Sequence, residues 1–153
     1  MDSSMRALGA SYTPIWDPDA AGPVEVGIDV VEIDRIRAVL ERFGERFLCR
    51  VYTDREREQY GNRPSELAAR FAAKEAVMKV LGTGVRGVRW RDIEVLPNRR
   101  GKPIVVLYDT AAARAELLGF SHVAISLTHS RSEAMAVVVA AQGTGPEREV
   151  SAT

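Results

Sequence analysis

The sequence predicts an α+β fold, with a mostly antiparallel sheet and helices on one side of it. The first observation behind this prediction is a set of apolar, β-branched segments, four of which form two pairs joined by short turns. The second is that segments with apolar residues at helical spacing alternate with them. The longest of these, 64–81, is apolar nearly all round and is therefore predicted to be buried.

Five strands are predicted, the first of them from the segment PVEVGIDVVEI. They cover residues 23–33, 92–98, 102–108, 122–130 and 133–141. The second and third are joined by NRRG, and the fourth and fifth meet around HSRS. Both connections are short enough to predict hairpins.

The helices are predicted from apolar spacing together with signals at their ends. They cover residues 34–44, 53–61, 64–81 and 109–119. Asp34 is the predicted cap of the first helix, and Gly44 its stop. Thr53, followed three residues later by Glu56, predicts a capping box for the second. Gly82 lies just past the end of the third.

The predicted domain covers residues 24–141. Residues 1–23 and 142–153 lack periodicity and are predicted to be flexible tails. Basic and acidic side chains number 21 each, so the overall charge does not favour nucleic acid. Cys49 is alone, which excludes an intrachain disulfide. No apolar run approaches the ~20 residues that span a bilayer, and we expect a soluble cytoplasmic protein without a membrane partner.

Four charges interrupt the alanine-rich helix at Arg70, Lys74, Glu75 and Lys79. Because burying an unpaired charge costs several kcal/mol or more, each of them needs a partner. One interpretation is an ordinary ion pair between Glu75 and Lys79, one turn apart on a wet strip. The other is that the charges face a metal or an anionic ligand.

The segment GTG, residues 82–84, directly follows this helix and is open to two interpretations. It is either a plain glycine cap or a place where the backbone comes close to a ligand. A helix C-terminus carries partial negative charge, which disfavours phosphate. A phosphate bound there would therefore need cations from Arg70, Lys74 or Lys79.

A second carboxylate, Asp29, lies within the apolar first strand, where an acidic residue usually has a reason. It either caps a neighbouring loop or serves a ligand. Together with Glu75 it could hold one Mg²⁺ ion, which typically takes one or two protein carboxylates. Glu32 is a possible accessory, although a solvated position at the helix entry explains it as well.

The two histidines, His122 and His129, are seven residues apart in one strand, so alternation puts them on opposite faces. A metal site built from both is therefore not expected. His129 lies in a polar turn at the strand end and is predicted to touch substrate. No GxSxG elbow is present, which argues against a serine hydrolase.

Several motifs in order then resemble one family. They are GIDVVEIDRI, RFLCRVYTDRE, ARFAAKEAVMKVLGTG, DIEVLPNRRGKP and HVAISLTHS, and they extend over residues 24 to 141. Together they closely resemble the holo-acyl-carrier-protein synthases, the small class of 4′-phosphopantetheinyl transferases. The resemblance implies the 4′-phosphopantetheinyl transferase fold. It also implies transfer of phosphopantetheine from coenzyme A to a serine of an acyl carrier protein, with release of adenosine 3′,5′-bisphosphate.

The resemblance also implies roles for individual residues. Asp29 and Glu75 match the Mg²⁺ ligands, and Glu75 is the candidate base, directly or through a metal-bound water. Lys79 matches the lysine near the reacting pyrophosphate. The matches at the coenzyme A site are Gly82, Thr83, Gly84, Pro103 and His129, with Arg70 and Ser130 as possible phosphate contacts.

The resemblance further implies an acidic acyl carrier protein as partner and a homotrimer with active sites between subunits. Arg35 matches a basic residue that faces the carrier protein, and Arg42 lies on the same basic helix. That helix would serve equally well as a solvated face. Two other classes stay open: a catalytically silent module that binds coenzyme A or carrier protein, and a structural protein whose helix charges pair internally.

Overall fold

The computed structural model describes residues 22–143, so nearly all of the two predicted tails lies outside the described residues. Five strands and six α-helices follow one another in this range, with a single 3₁₀ turn at Trp90–Asp92. The strands are β1 (Val24–Glu32), β2 (Ile93–Pro97), β3 (Pro103–Leu107), β4 (Phe120–His129) and β5 (Glu133–Gln142). The helices are α1 (Ile33–Phe43), α2 (Glu45–Val51), α3 (Asp54–Tyr60), α4 (Pro64–Leu81), α5 (Gly84–Gly87) and α6 (Asp109–Leu117).

The strands form two antiparallel sheets in this part of the chain. One has the order β1-β5-β4, and the other is the β2-β3 hairpin. Both predicted hairpins are therefore confirmed, and β5 takes the central place because the first strand pairs with the last. The α+β fold with a mostly antiparallel sheet is confirmed as well.

The long helix α4 packs across one face of the three-stranded sheet, against β1 and β5. Most of its residues are buried, as the all-round apolar pattern predicted. Contact with β1 is closest at Gly27, where an added Cβ would lie 2.0 Å from the carbonyl oxygen of Ala76. A glycine at this position therefore sets the spacing between strand and helix.

The opposite face of the same sheet is apolar but exposed. On β1 the exposed side chains are Val24, Val26, Ile28 and Val30, with relative exposures of 46–63%. Met135 and Val139 continue this surface on β5. No helix of the described chain covers these side chains, in agreement with the prediction that helices pack on one side.

Three local predictions need correction. Helix α1 begins at Ile33 with Glu32 at the cap position, and Asp34 lies in the first turn, where its charge still suits the helix dipole. Helix α2 was not predicted; it begins directly after Gly44, whose φ of +51° lets the chain turn from one helix into the next. Strand β5 continues to Gln142, whose backbone N–H donates to the Pro23 carbonyl.

Two predicted helix ends are confirmed. Thr53 and Glu56 form the full capping box that begins α3, each side chain accepting from the other's backbone N–H. Gly82 ends α4 in the left-handed conformation with φ +67°. Of the residues described, no helix is long and apolar enough to cross a membrane.

The substitution Gly27→Ala should destabilise the protein by about 1–3 kcal/mol, since the methyl group meets backbone that cannot rotate away. Chemical denaturation measures the free energy of unfolding. Gly22→Ala is the matched control, because a Cβ there meets only ordinary contacts at 3.4 Å and beyond. Equal stability of the two variants would contradict the close contact between β1 and α4.

Candidate active site

A cluster of two carboxylates and a lysine lies where α4 crosses β1. Asp29 is on the helix-facing side of β1, two residues beyond Gly27. The ammonium of Lys79 lies 3.0 Å from Asp29 Oδ1 and donates to the Ile28 carbonyl at 2.6 Å. Lys79 therefore pairs with Asp29 on the strand, rather than with Glu75 one turn before it on the helix.

Glu75 belongs to this cluster through its electrostatics. Partial burial and the neighbouring Asp29 carboxylate raise the pKa of Glu75, while Lys79 and Arg35 act in the opposite direction. The carboxyl therefore holds a proton more readily than a solvated glutamate does. Two facing carboxylates of which one is poorly solvated favour a cation between them.

A divalent cation with few protein ligands fits this donor set. Among the described residues, no group of three or more histidine, cysteine or acidic side chains could hold a metal ion. Asp29 and Glu75 supply two oxygen donors, which is the number that Mg²⁺ often takes from a protein. The residues present therefore fit Mg²⁺ better than a metal that needs a full protein cage.

The turn that ends α4 contains the two glycines that the sequence predicts as coenzyme A contacts. Gly82 and Gly84 both have positive φ, and an added Cβ at Gly84 would meet nothing within 4 Å. The hydroxyl of Thr83 is buried and has no hydrogen-bond partner among the described residues. The backbone N–H groups of Gly82 and Thr83 donate to the carbonyls of Lys79 and Met78, so the Thr83 hydroxyl is the uncommitted group of this turn among the described residues. The ligand role of the three residues stays a prediction.

His129 is the last residue of β4 and lies opposite Ala134, which is also opposite Val31 of β1. His129 is thus at the same end of the sheet as Asp29, but strand β5 lies between them. Its imidazole is exposed and makes only a long contact, 3.4 Å, to the Ser130 carbonyl. His122 is on the opposite face of β4, as predicted.

Ser130 and Pro103, two further predicted coenzyme A contacts, lie outside the carboxylate cluster. The Ser130 hydroxyl accepts from the backbone N–H groups of Ser132 and Glu133, which shapes the turn between β4 and β5. Pro103 begins β3 next to the hairpin turn and is half-buried. Neither residue forms a hydrogen bond or ion pair with Asp29 or Lys79 of the same chain.

Arg70 is on α4 but not in the cluster. Its guanidinium is almost fully buried, pairs with Glu66, donates to the Tyr60 hydroxyl at 2.8 Å and stacks over the same ring. These contacts occupy the side chain inside the fold. They give no support to the expectation that Arg70 helps to hold a phosphate.

Lys74 cannot supply charge to a ligand, which corrects one of the interpretations that the sequence left open. Its side chain is completely buried, and its ammonium lies 2.7 Å from Glu56 Oε2. Lys74 instead forms an ion pair inside the fold, and its partner lies on α3. Glu56 was predicted only as part of a capping box, and no local spacing indicates its second role.

A groove of about 870 Å³ lies elsewhere and is bordered by Cys49, Trp90 and Tyr108. Neither Asp29 nor Glu75 lines it. Its Arg89 and Arg91 already pair with aspartates, so most of its charge is compensated internally. The carboxylate cluster is therefore the stronger candidate for chemistry.

Comparison with known proteins agrees with the fold. The sequence model of the family described as the 4′-phosphopantetheinyl transferase superfamily matches residues 25–138, nearly all of the described fold. Asp29, Glu75 and the glycine turn after α4 all lie within the matched range. The chain therefore belongs to this superfamily of transferases.

Individual relatives show where in the superfamily this chain belongs. The holo-[acyl-carrier-protein] synthase of Solibacter usitatus is 48% identical over 120 residues, 76% of this chain and 96% of that protein. The solved structure of the Neisseria meningitidis synthase is 36% identical with a TM-score of 0.71, covering 76% of this chain and 97% of that one. The Helicobacter pylori synthase, solved in complex with coenzyme A, also has a TM-score of 0.71. It is 29% identical and covers 76% of this chain and all of that one. Within the superfamily the chain is a holo-[acyl-carrier-protein] synthase, an enzyme of phosphopantetheinyl transfer, and the predicted resemblance is confirmed.

The raised pKa of Glu75 predicts a pH-dependent stability difference between the wild type and Glu75→Gln. Because the folded carboxyl binds its proton more tightly than the unfolded one, the wild type loses stability as pH rises through the raised pKa. Glutamine does not titrate, so the Tm of the variant minus that of the wild type should grow between about pH 4 and about pH 7 in chelator. A difference that is constant or shrinks over this range would contradict the pKa shift.

Proposed function

We propose that the chain, acting in the cytoplasm, transfers 4′-phosphopantetheine from coenzyme A to a serine of an apo acyl carrier protein. The reaction depends on Mg²⁺ and releases adenosine 3′,5′-bisphosphate. The observation that carries this proposal is the juxtaposition of Asp29, Glu75 and Lys79 at the crossing of β1 and α4. The coenzyme A complex of the Helicobacter pylori relative supports the donor substrate.

Each residue of the cluster has a separate task in this reaction. Asp29 and Glu75 would hold the Mg²⁺ ion, which when bound supplies positive charge to the phosphate oxygens. The serine hydroxyl attacks the β-phosphorus of coenzyme A, and the bond from that phosphorus to the bridging oxygen breaks. Glu75, directly or through a water, would accept the proton of the serine hydroxyl.

Lys79 stabilises the departing phosphate. Its side chain is half-exposed, and its Asp29 partner is on the neighbouring strand, so the ammonium can turn toward a bound pyrophosphate without unfolding anything. The positive charge then lies where negative charge develops on the leaving oxygen. Catalysis on this view is mainly positioning and electrostatic stabilisation, as in other phosphoryl transfers.

The coenzyme A nucleotide would lie against the turn that ends α4. Gly82 and Gly84 let the ligand approach the backbone, and the buried Thr83 hydroxyl has capacity for one more hydrogen bond. His129, Ser130 and the segment near Pro103 would contribute from a second subunit. Their separation from the Asp29 cluster within one chain supports a shared site.

The carrier protein would dock on α1, with Arg35 and Arg42 as contacts. Both arginines are exposed, and the Arg42 guanidinium lies over the half-exposed Phe43 ring. A groove of about 370 Å³ between α1 and α2 adds apolar Val39 and Phe47, with Arg46 and Arg50 at its border. An apolar notch bordered by arginines suits an amphipathic, acidic helix.

A homotrimer would cover the exposed apolar face of the three-stranded sheet. Val26 and Ile28 lie on this face midway along the edge strand β1, and a chain in isolation would leave them in water. Large contiguous apolar patches on soluble proteins mark interaction surfaces. Assembly through this face would bring the sheet ends of neighbouring chains together, where His129 of one chain could reach the Asp29 cluster of the next.

Transfer is tested directly by mass spectrometry of an apo carrier protein after incubation with coenzyme A, Mg²⁺ and the enzyme. The wild type should add a phosphopantetheine group of about 340 Da, linked to serine through its phosphate. Glu75→Gln should reduce transfer by at least about 10²-fold, because base and metal ligand are lost together, while thermal unfolding shows an intact fold. Full transfer by this variant would refute the role of Glu75.

Assembly is tested by light scattering on Val26→Asp. The wild type should have three times the 16.8 kDa mass of the chain, whereas the variant should have the mass of one chain and lose transfer. Leu117→Asp is the control, since Leu117 is equally apolar and even more exposed but lies on α6. A trimeric and active Val26→Asp enzyme would rule out this face as the interface.

A further inference from the structure

The strongest feature that the reaction does not use is the buried ion pair between Lys74 and Glu56. Both side chains are completely buried. The Lys74 ammonium has three N–H donors and donates to the carbonyls of Val51, Trp90 and Ile93 at 2.5–3.1 Å, while Glu56 supplies the opposite charge. One ammonium thus joins α4 to the ends of α2 and α3, to the turn before β2 and to β2 itself.

Glu56 completes the connection from the other side. Its Oε1 accepts the backbone N–H of Val95 on β2, and its Oε2 accepts that of Thr53 and lies 2.7 Å from the Lys74 ammonium. Every polar atom of the pair therefore has a partner, which is the condition under which such a pair survives burial. The burial of Lys74 opposes its charge and lowers its pKa, and Glu56 counteracts this effect.

The composition of α4 explains why this helix needs such a device. Five of its twelve buried residues are alanines, at positions 68, 69, 72, 73 and 76, and these small side chains resist rotation and sliding only weakly. Lys74 is the largest fully buried side chain of the helix. The Lys74 side chain is long, and its partners are held in fixed positions. Together they define how α4 is rotated about its axis.

That rotation decides where Glu75 points. Glu75 follows Lys74 directly and points about 100° further round the helix. The next residue, Ala76, lies with its carbonyl group against Gly27 of β1. The helix is thus held from the α2–β2 side by Lys74 and from the β1 side by the Gly27 contact. Glu75 lies between the two constraints, beside Asp29.

We propose that the buried Lys74–Glu56 pair is a positioning device that fixes the rotation of α4 and thereby the place of the Glu75 carboxylate next to Asp29. Neither residue touches the substrate. The inference rests on the proposed role of Glu75 in transfer. A carboxylate displaced by about 1 Å can lose about 10²-fold in rate, so a small relaxation of the helix suffices for a large effect.

The test compares two identical substitutions at buried glutamates, Glu56→Asp and Glu94→Asp. Both keep the charge and shorten the side chain by one methylene. Glu94 is as buried as Glu56, but its carboxylate contacts Thr53, Arg55 and Tyr108 and none of the residues of α4. Any loss common to the two variants is therefore a general effect of shortening a buried acid.

Steady-state transfer and thermal unfolding are measured on the full chain. Glu56→Asp should remain folded and lose about 10-fold or more in kcat, with the KM for coenzyme A within about threefold of the wild type. Glu94→Asp should lose Tm but keep kcat. Equal kcat in the wild type and Glu56→Asp, or equal losses in the two variants, would overturn the inference.

The double variant Lys74→Met with Glu56→Gln extends the test, because removing both charges avoids an unpaired buried ion. A folded double variant should again lose kcat at nearly constant KM, and full kcat in it would refute positioning. A failure of the proposed function looks different, since the wild type itself would then give no phosphopantetheinylated carrier. The two failures are thus distinguished within one experiment.

Discussion

The contact between Gly27 and the Ala76 carbonyl is the constraint on which the site depends. A strand and a helix normally keep side chains between them, which would separate a carboxylate on β1 from one on α4. Here the strand has no side chain at the crossing, so the two backbones approach until they touch. Asp29, two residues along on the same face, then comes within electrostatic reach of Glu75.

The four charges of α4 divide their tasks by direction around the helix. Lys74 points into the core and is neutralised by Glu56, and Arg70 is held by Glu66 and Tyr60. Both act within the fold. Glu75 and Lys79 emerge on the β1 side, where partial solvent access leaves them able to exchange partners. An alanine-rich helix accommodates this division because its small side chains let other elements come close from every direction.

Local sequence signals predicted those features that depend on neighbours in the chain. The capping box of Thr53, the left-handed Gly82 and the two hairpins follow from spacings of a few residues. The pairing of Lys79 with Asp29 joins residues 50 positions apart, and no periodicity encodes it. The pattern of charges in apolar segments indicated both residues as candidates, but the geometry of the contact required the fold. Glu56 shows the limit most clearly, since its capping role is local and its pairing with Lys74 is not.

The described part of the single chain leaves an apolar sheet face uncovered and its predicted substrate residues separated from the carboxylates. Association with further copies of the chain would resolve both. The sheet has an apolar face that nothing in the described chain covers, and the predicted substrate residues at the end of β4 lie a strand away from the carboxylates. A chain that works alone has no use for an exposed apolar patch at Val26 and Ile28, and it would place its histidine beside its base. Association through the sheet would remove the apolar surface from water and would supply the distant residues from a neighbour. Under the proposed assembly, the hydrophobic effect that holds the subunits together is also what assembles the substrate site, so stability and activity should be lost together when that face is disrupted.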